Sequence, residues 1–273
     1  MSGAATVAGA LAEAKAAGID RLDAQLLLAH VLAQPRPWLL AHDDALLDAA
    51  QREAFAALLA RRLMGEPVAY LVGAKAFHGL TLQVDASVLV PRPDTELLVD
   101  WAIELLGNAA GRSVVDLGTG SGAIALAVKQ ACPGASVLAT DLSEAALAVA
   151  RANAARLGLD VSIRQGAWWG GLGERRFDLV LSNPPYIAGG DPHLAALQHE
   201  PALALTPGGD GLAALREIVA GAARHLRPGG WLLLEHGHDQ ADAVQAMLAR
   251  DGFAGIETRR DLGRQPRCTG GHR

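Results

Sequence analysis

The sequence contains few of the residues that build disulfide frameworks or structural metal sites. Its 273 residues include only two cysteines, Cys132 and Cys268, which form neither a CxxC pattern nor a Cys/His ligand spacing. This scarcity argues against a disulfide-stabilised scaffold and against a structural zinc site, so no metal is expected. A reducing cytoplasm is the compartment that such cysteine usage fits best.

Two other patterns are also missing. No run of about 18 uninterrupted apolar residues occurs, and the first segment has Glu13 and Lys15 inside its apolar stretch. We therefore expect neither export nor a membrane span. The formal net charge is −5 at pH 7, so the basic surplus typical of proteins that grip phosphate backbones is absent. No direct nucleic-acid partner is expected.

The residues that are present predict an α/β protein with a smaller helical unit in front. Hydrophobic residues make up 51% of the chain, and its length exceeds what one core usually organises. Apolar residues recur three and four apart in 1–65, which predicts a helical bundle. Alternating β-branched and aromatic residues in 66–92 predict a connecting β-hairpin. Strands and helices alternate in 93–273, which predicts a mostly parallel sheet with helices on both faces.

This alternation also localises a candidate site. Helices are predicted over 122–131 and 144–157, each after a short apolar strand. Ligands of such sheets bind beyond the carboxyl ends of the strands, so Gly118, Asp141, Gln165 and Asn183 should converge. The polar, glycine-rich end of the chain, LGRQPRCTGGHR, is expected to be mobile at its terminus.

A glycine-rich loop separates the first of these strands from its helix. In VVDLGTGSGAIALA, the missing side chains of Gly118, Gly120 and Gly122 let backbone approach a ligand closely. Asp141 follows the next strand, where a carboxylate can accept hydrogen bonds from both hydroxyls of a ribose. An adenosine-containing cofactor is predicted. The alternative is a glycine turn beside a solvated carboxylate.

Two cofactors compete for this loop. Gly118, Gly120 and Ala123 also satisfy the GxGxxA pattern that binds the pyrophosphate of NAD. Asp116 would repel a pyrophosphate but could face the ammonium group of a methionine moiety, which favours S-adenosylmethionine. Asp116 could instead cap nearby backbone amides.

The segment FDLVLSNPPYI places four distinctive residues directly after a strand: Asn183, Pro184, Pro185 and Tyr186. The two prolines stiffen the turn and lack amide donors, so the segment offers acceptors. The Asn183 side-chain oxygen and the Pro184 carbonyl can accept both hydrogens of a planar amide, and Tyr186 can pack against that group. Such contacts suit methyl transfer to an amide nitrogen. The alternative is a turn that merely ends the strand.

These segments together resemble the HemK/PrmC family of peptide-chain release factor glutamine methyltransferases over nearly the whole chain. The matching segments are VLVPRPDTELLVD, DLGTGSGAIALA, SNPPYI, DPHL, HEPALAL and WLLLEHG. The resemblance implies a seven-stranded, Rossmann-like methyltransferase sheet. It also implies that the substrate is the glutamine of the GGQ tripeptide in class-one release factors, methylated on its N5 nitrogen in support of translation termination.

The family's site residues map onto matching positions here. The resemblance gives the cofactor backbone to Gly118, Thr119, Gly120, Ser121 and Gly122, the ribose to Asp141 and the adenine neighbour to Trp168. The segment Asn183 to Tyr186 is implied to bind the glutamine, and Asn183 is also expected to contact the cofactor. Ala167 is a departure, because family members often have an acidic residue there, and Trp169 competes with Trp168 for the adenine.

Other functions remain as alternatives at this point. An NPPY segment also suits methylation of a nucleic-acid base, which the acidic balance disfavours. NAD-linked oxidoreduction leaves NPPY without a role, and a pure binding module is the fourth option. The helices of 1–65 contain no catalytic constellation, so we expect them to dock the protein substrate.

Overall fold

The computed structural model describes residues 6–107 and 110–273. The chain divides into two compact units between Ala74 and Lys75, later than the predicted end of the helical bundle at residue 65. The reason is a short helix at Val68–Val72, whose Leu71 is buried in the helical core. No helix of the described residues is long and apolar enough to cross a bilayer.

The first unit is helical. Leu27 and Leu28 are fully buried at its centre. Asp48 begins the longest helix with a capping box, because its side chain accepts from the Gln51 amide while the Gln51 side chain accepts from the Asp48 amide. Its described helices are α1 Val7–Ala16, α2 Arg21–Leu32, α3 Arg36–Ala41, α4 Ala49–Leu63 and α5 Val68–Val72.

The second unit contains a β-hairpin and a large sheet. The hairpin strands are β1 Ala74–Phe77 and β2 Leu80–Gln83. The described sheet strands are β3 Ser113–Leu117, β4 Ser136–Asp141, β5 Val161–Gln165, β6 Phe177–Ser182, β7 Leu226–Glu235, β8 Ala254–Arg260 and β9 Pro266–His272. The described helices are α6 Glu96–Leu106, α7 Ala123–Ala131, α8 Glu144–Leu157, α9 Ala202–Leu205, α10 Ala213–His225 and α11 Ala241–Arg250, and 3-10 turns cover Pro93–Thr95 and Pro192–Leu197.

Helices cover both faces of the sheet because each central strand is apolar on both sides. Val114 packs on one face with α6 and α7, and Val115 packs on the other with α10 and α11. The strand order is β5-β4-β3-β6-β7-β9-β8, in which the described strands pair in parallel except along β9. The predicted α/β class with a seven-stranded, mostly parallel sheet is confirmed. The order reverses direction at β3, which places a crevice at its carboxyl end.

The hairpin lies inside the predicted connector and packs on the second unit. Leu80 and Leu82 are buried in the core that also holds α6 and α7. The fully buried Asn153 of α8 accepts from the Gln83 amide at 2.7 Å and donates to the Gln83 carbonyl at 2.9 Å. The same Nδ2 also donates to the Ser121 carbonyl at 3.0 Å, so the hairpin and the glycine loop share one anchor.

The expected mobility of the chain's end is wrong. The last residues form β9, which lies between β7 and β8 and pairs antiparallel with both. A Cβ at Gly270 would lie 2.4 Å from Leu233 Cδ2 and 2.8 Å from the Leu232 carbonyl oxygen. The glycines therefore allow close packing of a buried strand, and their number was misread as a sign of a loose terminus.

Candidate cofactor and substrate site

A cavity of about 590 Å³ opens at the carboxyl ends of the central strands. It lies within the second unit and is the place where the predicted residues converge. Its walls include Gly118, Thr119, Gly120, Ser121, Asp141, Trp168, Asn183 and Pro185. Gly166 lines it in place of the predicted Gln165, whose side chain instead donates to the Leu142 carbonyl.

The glycine loop presents backbone to the cavity. Gly118 and Gly120 have φ of +75° and +55°, values that glycine adopts without strain. The amides of Gly118 and Thr119 both donate to the Thr140 carbonyl at 2.9 Å, which ties the loop to β4. A Cβ at Gly120 would have no atom of the described residues within 4 Å. The space that Gly120 leaves open therefore belongs to the cavity.

Gly122 has a different position from the other two glycines. It is the residue before α7, with φ of +85°, and is not among the residues that line the cavity. A Cβ there would lie 2.9 Å from Leu126 Cδ1. Helix packing thus explains this glycine, and its contact with a cofactor stays a prediction.

Asp141 ends β4 with both carboxylate oxygens held by backbone amides. Oδ2 accepts from the Gly120 amide at 2.8 Å, and Oδ1 accepts from the Ser143 amide at 2.9 Å. Each oxygen can accept a further hydrogen bond, and the residue lines the cavity. The arrangement suits the recognition of two neighbouring hydroxyl groups.

Asp116 lies behind the loop and is fully buried. Its Oδ2 accepts from the Thr119 hydroxyl at 2.6 Å, while no described residue offers Oδ1 a hydrogen bond. Burial raises the pKa of Asp116 to about 7, and the Thr119 hydrogen bond opposes the rise. A buried carboxylate with an unpaired oxygen fits a site for a cationic group. Asp116 does not itself line the cavity.

The two adjacent tryptophans have separate surroundings. Trp168 lines the cavity, with ring atom Cζ3 3.3 Å from the position of a Cβ at Gly118, and its φ is +45°. Trp169 stacks on His225 with ring centroids 4.8 Å apart and donates Nε1–H to the Glu217 carbonyl at 3.3 Å. Of the two tryptophans, the geometry thus leaves Trp168 available to a ligand. Its unusual backbone conformation turns the ring towards the glycine loop.

The Asn183 segment divides between the cavity and the interior. Asn183 and Pro185 line the cavity, and the Asn183 Nδ2 group donates to the Thr95 hydroxyl oxygen at 3.2 Å. Pro184 is buried. The Tyr186 ring packs against the core beneath β7, and its hydroxyl donates to Glu235 Oε1 at 3.3 Å. Burial raises the pKa of Tyr186. The expected contacts of Pro184 and Tyr186 with a substrate stay predictions.

Several polar residues of the site escaped the sequence reasoning. Glu200 is buried, accepts from the Val90 amide at 3.1 Å and pairs with Arg92. This contact joins the HEPALAL segment to the segment before α6, and Arg92 and Thr95 line the cavity. Glu200 directly follows the polar residues Gln198 and His199, so nothing in the sequence signalled that it would be buried.

The cavity walls fit an adenosyl cofactor that carries a positive charge. Asp141 faces the cavity with acceptor capacity and Gly120 leaves space for a ligand. Behind these walls, the buried carboxyl group of Asp116 favours a cation over a pyrophosphate.

Comparisons with known proteins agree with this geometry. Residues 94–248 match the Methyltransferase small domain family, and residues 6–73 match the PrmC N-terminal domain family. A methyltransferase from Pyrococcus furiosus superposes with a TM-score of 0.56 at 21% identity, covering 78% of this chain and 96% of that one. The Thermus thermophilus 16S rRNA N2 G1207 methyltransferase, solved with AdoMet and guanosine, gives 0.56 at 23% identity, covering 73% and 49%. The molecule is an S-adenosylmethionine-dependent methyltransferase.

Curated relatives show to which family of methyltransferases the chain belongs. The release factor glutamine methyltransferase of Bordetella pertussis is 51% identical over 93% of this chain and 96% of its own length. The Pseudomonas aeruginosa protein of the same name is 47% identical over 91% of each chain. The chain belongs to the release factor glutamine methyltransferase family. The family and activity predicted from the sequence are confirmed.

Proposed function

We propose that the protein transfers a methyl group from S-adenosylmethionine to the N5 amide nitrogen of the glutamine in the GGQ motif of class-one release factors, in support of translation termination. The observation that carries this proposal is that one cavity brings Asp141 and Gly120 together with Asn183. The names of the close relatives support the choice of substrate.

The cofactor is assigned to the glycine-loop side of the cavity. Gly118 to Ser121 would contact it through backbone, Asp141 would accept from the ribose hydroxyls and Trp168 would lie beside the adenine. Asp116 would stabilise the ammonium group through the charge of its carboxylate. When bound, S-adenosylmethionine supplies an electrophilic methyl group attached to a positively charged sulfur.

The substrate glutamine is assigned to the Asn183 side. An amide nitrogen is a poor nucleophile because its lone pair is delocalised into the carbonyl group. Asn183 Oδ1 and the Pro184 carbonyl would accept the two amide hydrogens and turn the nitrogen towards the methyl group, which favours in-line displacement. The nitrogen can release its proton after it becomes cationic, so no general base is needed before transfer.

A labelling experiment tests this assignment. The full-length protein is incubated with methyl-labelled S-adenosylmethionine and, in parallel, with intact release factor, a release factor whose GGQ glutamine is replaced by alanine, and nucleic acid. We expect label only in the intact factor. Label in the nucleic acid, or equal label in the alanine-substituted factor, would contradict the proposed substrate.

We further propose that the helical unit docks the release factor. Leu40, Leu46 and Leu63 of this unit are large apolar side chains that are 63%, 68% and 53% exposed. Contacts far from the reacting atoms can hold a large substrate in place during the reaction. We do not assign these leucines to one shared contact surface, so each is substituted separately.

The test compares serine substitutions at these leucines on two substrates. We expect at least one to lower kcat/KM for the intact factor by about tenfold, the effect of losing one good interface contact, and to leave a short GGQ peptide unaffected. Leu262→Ser is the matched control, because Leu262 is fully exposed in the second unit. Parent-like efficiency of all three variants on the intact factor would remove the docking role from these leucines.

A further inference from the structure

Asn153 lies behind the cavity, where it is bonded to both the glycine loop and the end of the hairpin. Gly118 to Ser121 of the loop line the cavity, and so do Ser87 to Leu89, which follow β2 in the chain. Asn153 belongs to α8, is fully buried and does not itself line the cavity. The methyl-transfer steps proposed above give this residue no part.

We infer that Asn153 is a positioning residue that holds the glycine loop in the conformation that binds the cofactor. The inference rests on the proposed function, which assigns this loop to S-adenosylmethionine. Asn153 acts through the backbone carbonyl of Ser121. Its effect is therefore on cofactor affinity, which can be measured without any turnover.

The hairpin fixes the orientation of the Asn153 amide. Its Oδ1 atom accepts from the Gln83 amide at 2.7 Å, and its Nδ2 group donates to the Gln83 carbonyl at 2.9 Å. A rotated amide would place oxygen against the carbonyl and nitrogen against the amide, so both bonds would be lost. The second proton of Nδ2 is thereby directed to the Ser121 carbonyl, at 3.0 Å.

This third bond fixes the last peptide group of the glycine loop. The Ser121 carbonyl accepts from Asn153, and the Gly122 amide of the same peptide group donates to the Thr119 carbonyl at 2.9 Å. Because a peptide group is planar, holding both of its polar ends fixes its orientation. A buried carbonyl without a donor is unfavourable, so loss of the Asn153 donor favours other conformations of the loop.

A purely structural role for Asn153 predicts a different result. Its loss would then lower the free energy of unfolding and leave the cofactor affinity of the folded protein unchanged. Arg156, one turn further along α8, permits a matched comparison, because its guanidinium donates to the Thr81 carbonyl of the same hairpin. Arg156 also donates to Asn153 Oδ1 at 3.3 Å, but no described contact joins it to the glycine loop. Its loss therefore loosens the hairpin and spares the Ser121 carbonyl.

Calorimetry with S-adenosylhomocysteine, the demethylated cofactor, is the first test. N153D keeps the size of the side chain and the acceptor for the Gln83 amide, but it replaces the donor to both carbonyls by an oxygen. N153A removes all three bonds and adds no charge. We expect each variant to bind about tenfold more weakly, the scale of losing one buried hydrogen bond. R156A should bind like the parent, and so should T258V, which loses two side-chain hydrogen bonds on β8 and shows what lower stability alone does.

Hydrogen exchange in the parent protein is the second test. The sequence has only three asparagines, Asn108, Asn153 and Asn183, so selective ¹⁵N-asparagine labelling gives three side-chain amide pairs, which N108D and N183D assign. A contact that favours cofactor binding is itself favoured by the bound cofactor, to the same extent. Saturating S-adenosylhomocysteine should therefore slow the exchange of the Asn153 side-chain protons with solvent about tenfold. The backbone amides of β9 show any general effect of the ligand on unfolding.

The outcomes separate the inference from the proposed function. Parent-like affinity in both N153D and N153A, equal weakening in R156A, or exchange of the Asn153 protons that the ligand does not slow beyond β9 would each overturn the positioning role. If neither Asn153 variant folds, the exchange measurement on the parent protein decides alone. Affinities and exchange that respond as expected would support the role even if the parent protein left the release factor unmethylated, a result that would reject the proposed substrate alone.

Discussion

The two sides of the cavity are built in different ways. On the glycine-loop side, backbone amides and a carboxylate fix one another, as in the contact between Gly120 and Asp141 at 2.8 Å. On the opposite side, the Asn183 amide is held by a side chain, because its Nδ2 group donates to the buried Thr95 hydroxyl oxygen at 3.2 Å. A wall made of backbone changes little when one of its own side chains is replaced, whereas a side chain held by others depends on each of them. We therefore expect changes on the first side to affect binding and changes on the second to affect rate.

The largest expected effect is the loss of cofactor binding in Gly120→Val. The branched side chain would fill space that Gly120 leaves open, and calorimetry with S-adenosylhomocysteine should detect no binding. Gly173→Val is the matched control, because Gly173 also has positive φ, +60°, and open surroundings, but lies away from the cavity. Both variants should show the same backbone strain, about 1–3 kcal/mol, in thermal unfolding. Normal affinity in Gly120→Val would refute the assignment of this loop to the cofactor.

Asn183→Ala should show the opposite behaviour. We expect the single-turnover rate to fall by about 10²–10³-fold, or about 2.7–4 kcal/mol, as for the loss of one preorganised polar contact. Cofactor affinity, measured by calorimetry on the same preparation, should change much less. If the variant loses cofactor affinity but keeps its single-turnover rate, Asn183 serves cofactor binding, and the two sides of the cavity do not differ in the expected way.

Asp116 should make the free energy of unfolding depend on pH. Its pKa of about 7 lies above the ordinary 3.8, so the folded protein binds this proton more tightly than the unfolded chain does. Its contribution is present at low pH and is lost as the pH rises through about 7. Between pH 5 and pH 8, Asp116→Asn should gain about 2–3 kcal/mol in free energy of unfolding relative to the parent. Urea titrations without cofactor measure this free energy. If it depends on pH in the same way in both proteins, burial does not raise the pKa of Asp116.

Asp141→Ala should give a smaller loss on the binding side. We expect cofactor affinity to fall by about 1.5–3 kcal/mol, the range for hydrogen bonds to a charged group, with little change in the rate at saturating cofactor. Asp20→Ala is the matched control, because it also removes a carboxylate contact to an amide two residues ahead, at 2.7 Å, within the helical unit. An unchanged affinity would separate Asp141 from the ribose.

The parts of the molecule that depend on neighbouring residues could be predicted from the sequence. The helix expected over 144–157 has those bounds in the structure, because Ser143 caps its start and Gly158 ends it in a left-handed conformation. The glycine loop and Asp141 lie on consecutive strands, so the alternation of strands and helices was enough to bring them together. Residues at strand ends could likewise be assigned to one edge of the sheet.

The side-chain contacts of Asn183 and Tyr186 with residues far away in the sequence could not be predicted in this way. Thr95 and Asn183 are 88 positions apart, and Tyr186 and Glu235 are 49 apart. Their meeting depends on the order of the strands, which periodicity does not reveal. Tyr186 follows Asn183 and Pro185 in sequence, but its ring packs against the core beneath β7, and its contact with the substrate stays a prediction. The end of the chain was misjudged for a related reason, since glycine content alone cannot separate a loose tail from a closely packed strand.

The position of β9 has a consequence for the order in which the sheet can assemble. Among the described strands β8 pairs only with β9, so it joins the sheet together with β9 or after it. Until β9 is in place, the edge of β7 that pairs with it, from Trp231 to Glu235, is open to water and to other strands. β9 therefore protects a central strand of the sheet from pairing with a wrong partner.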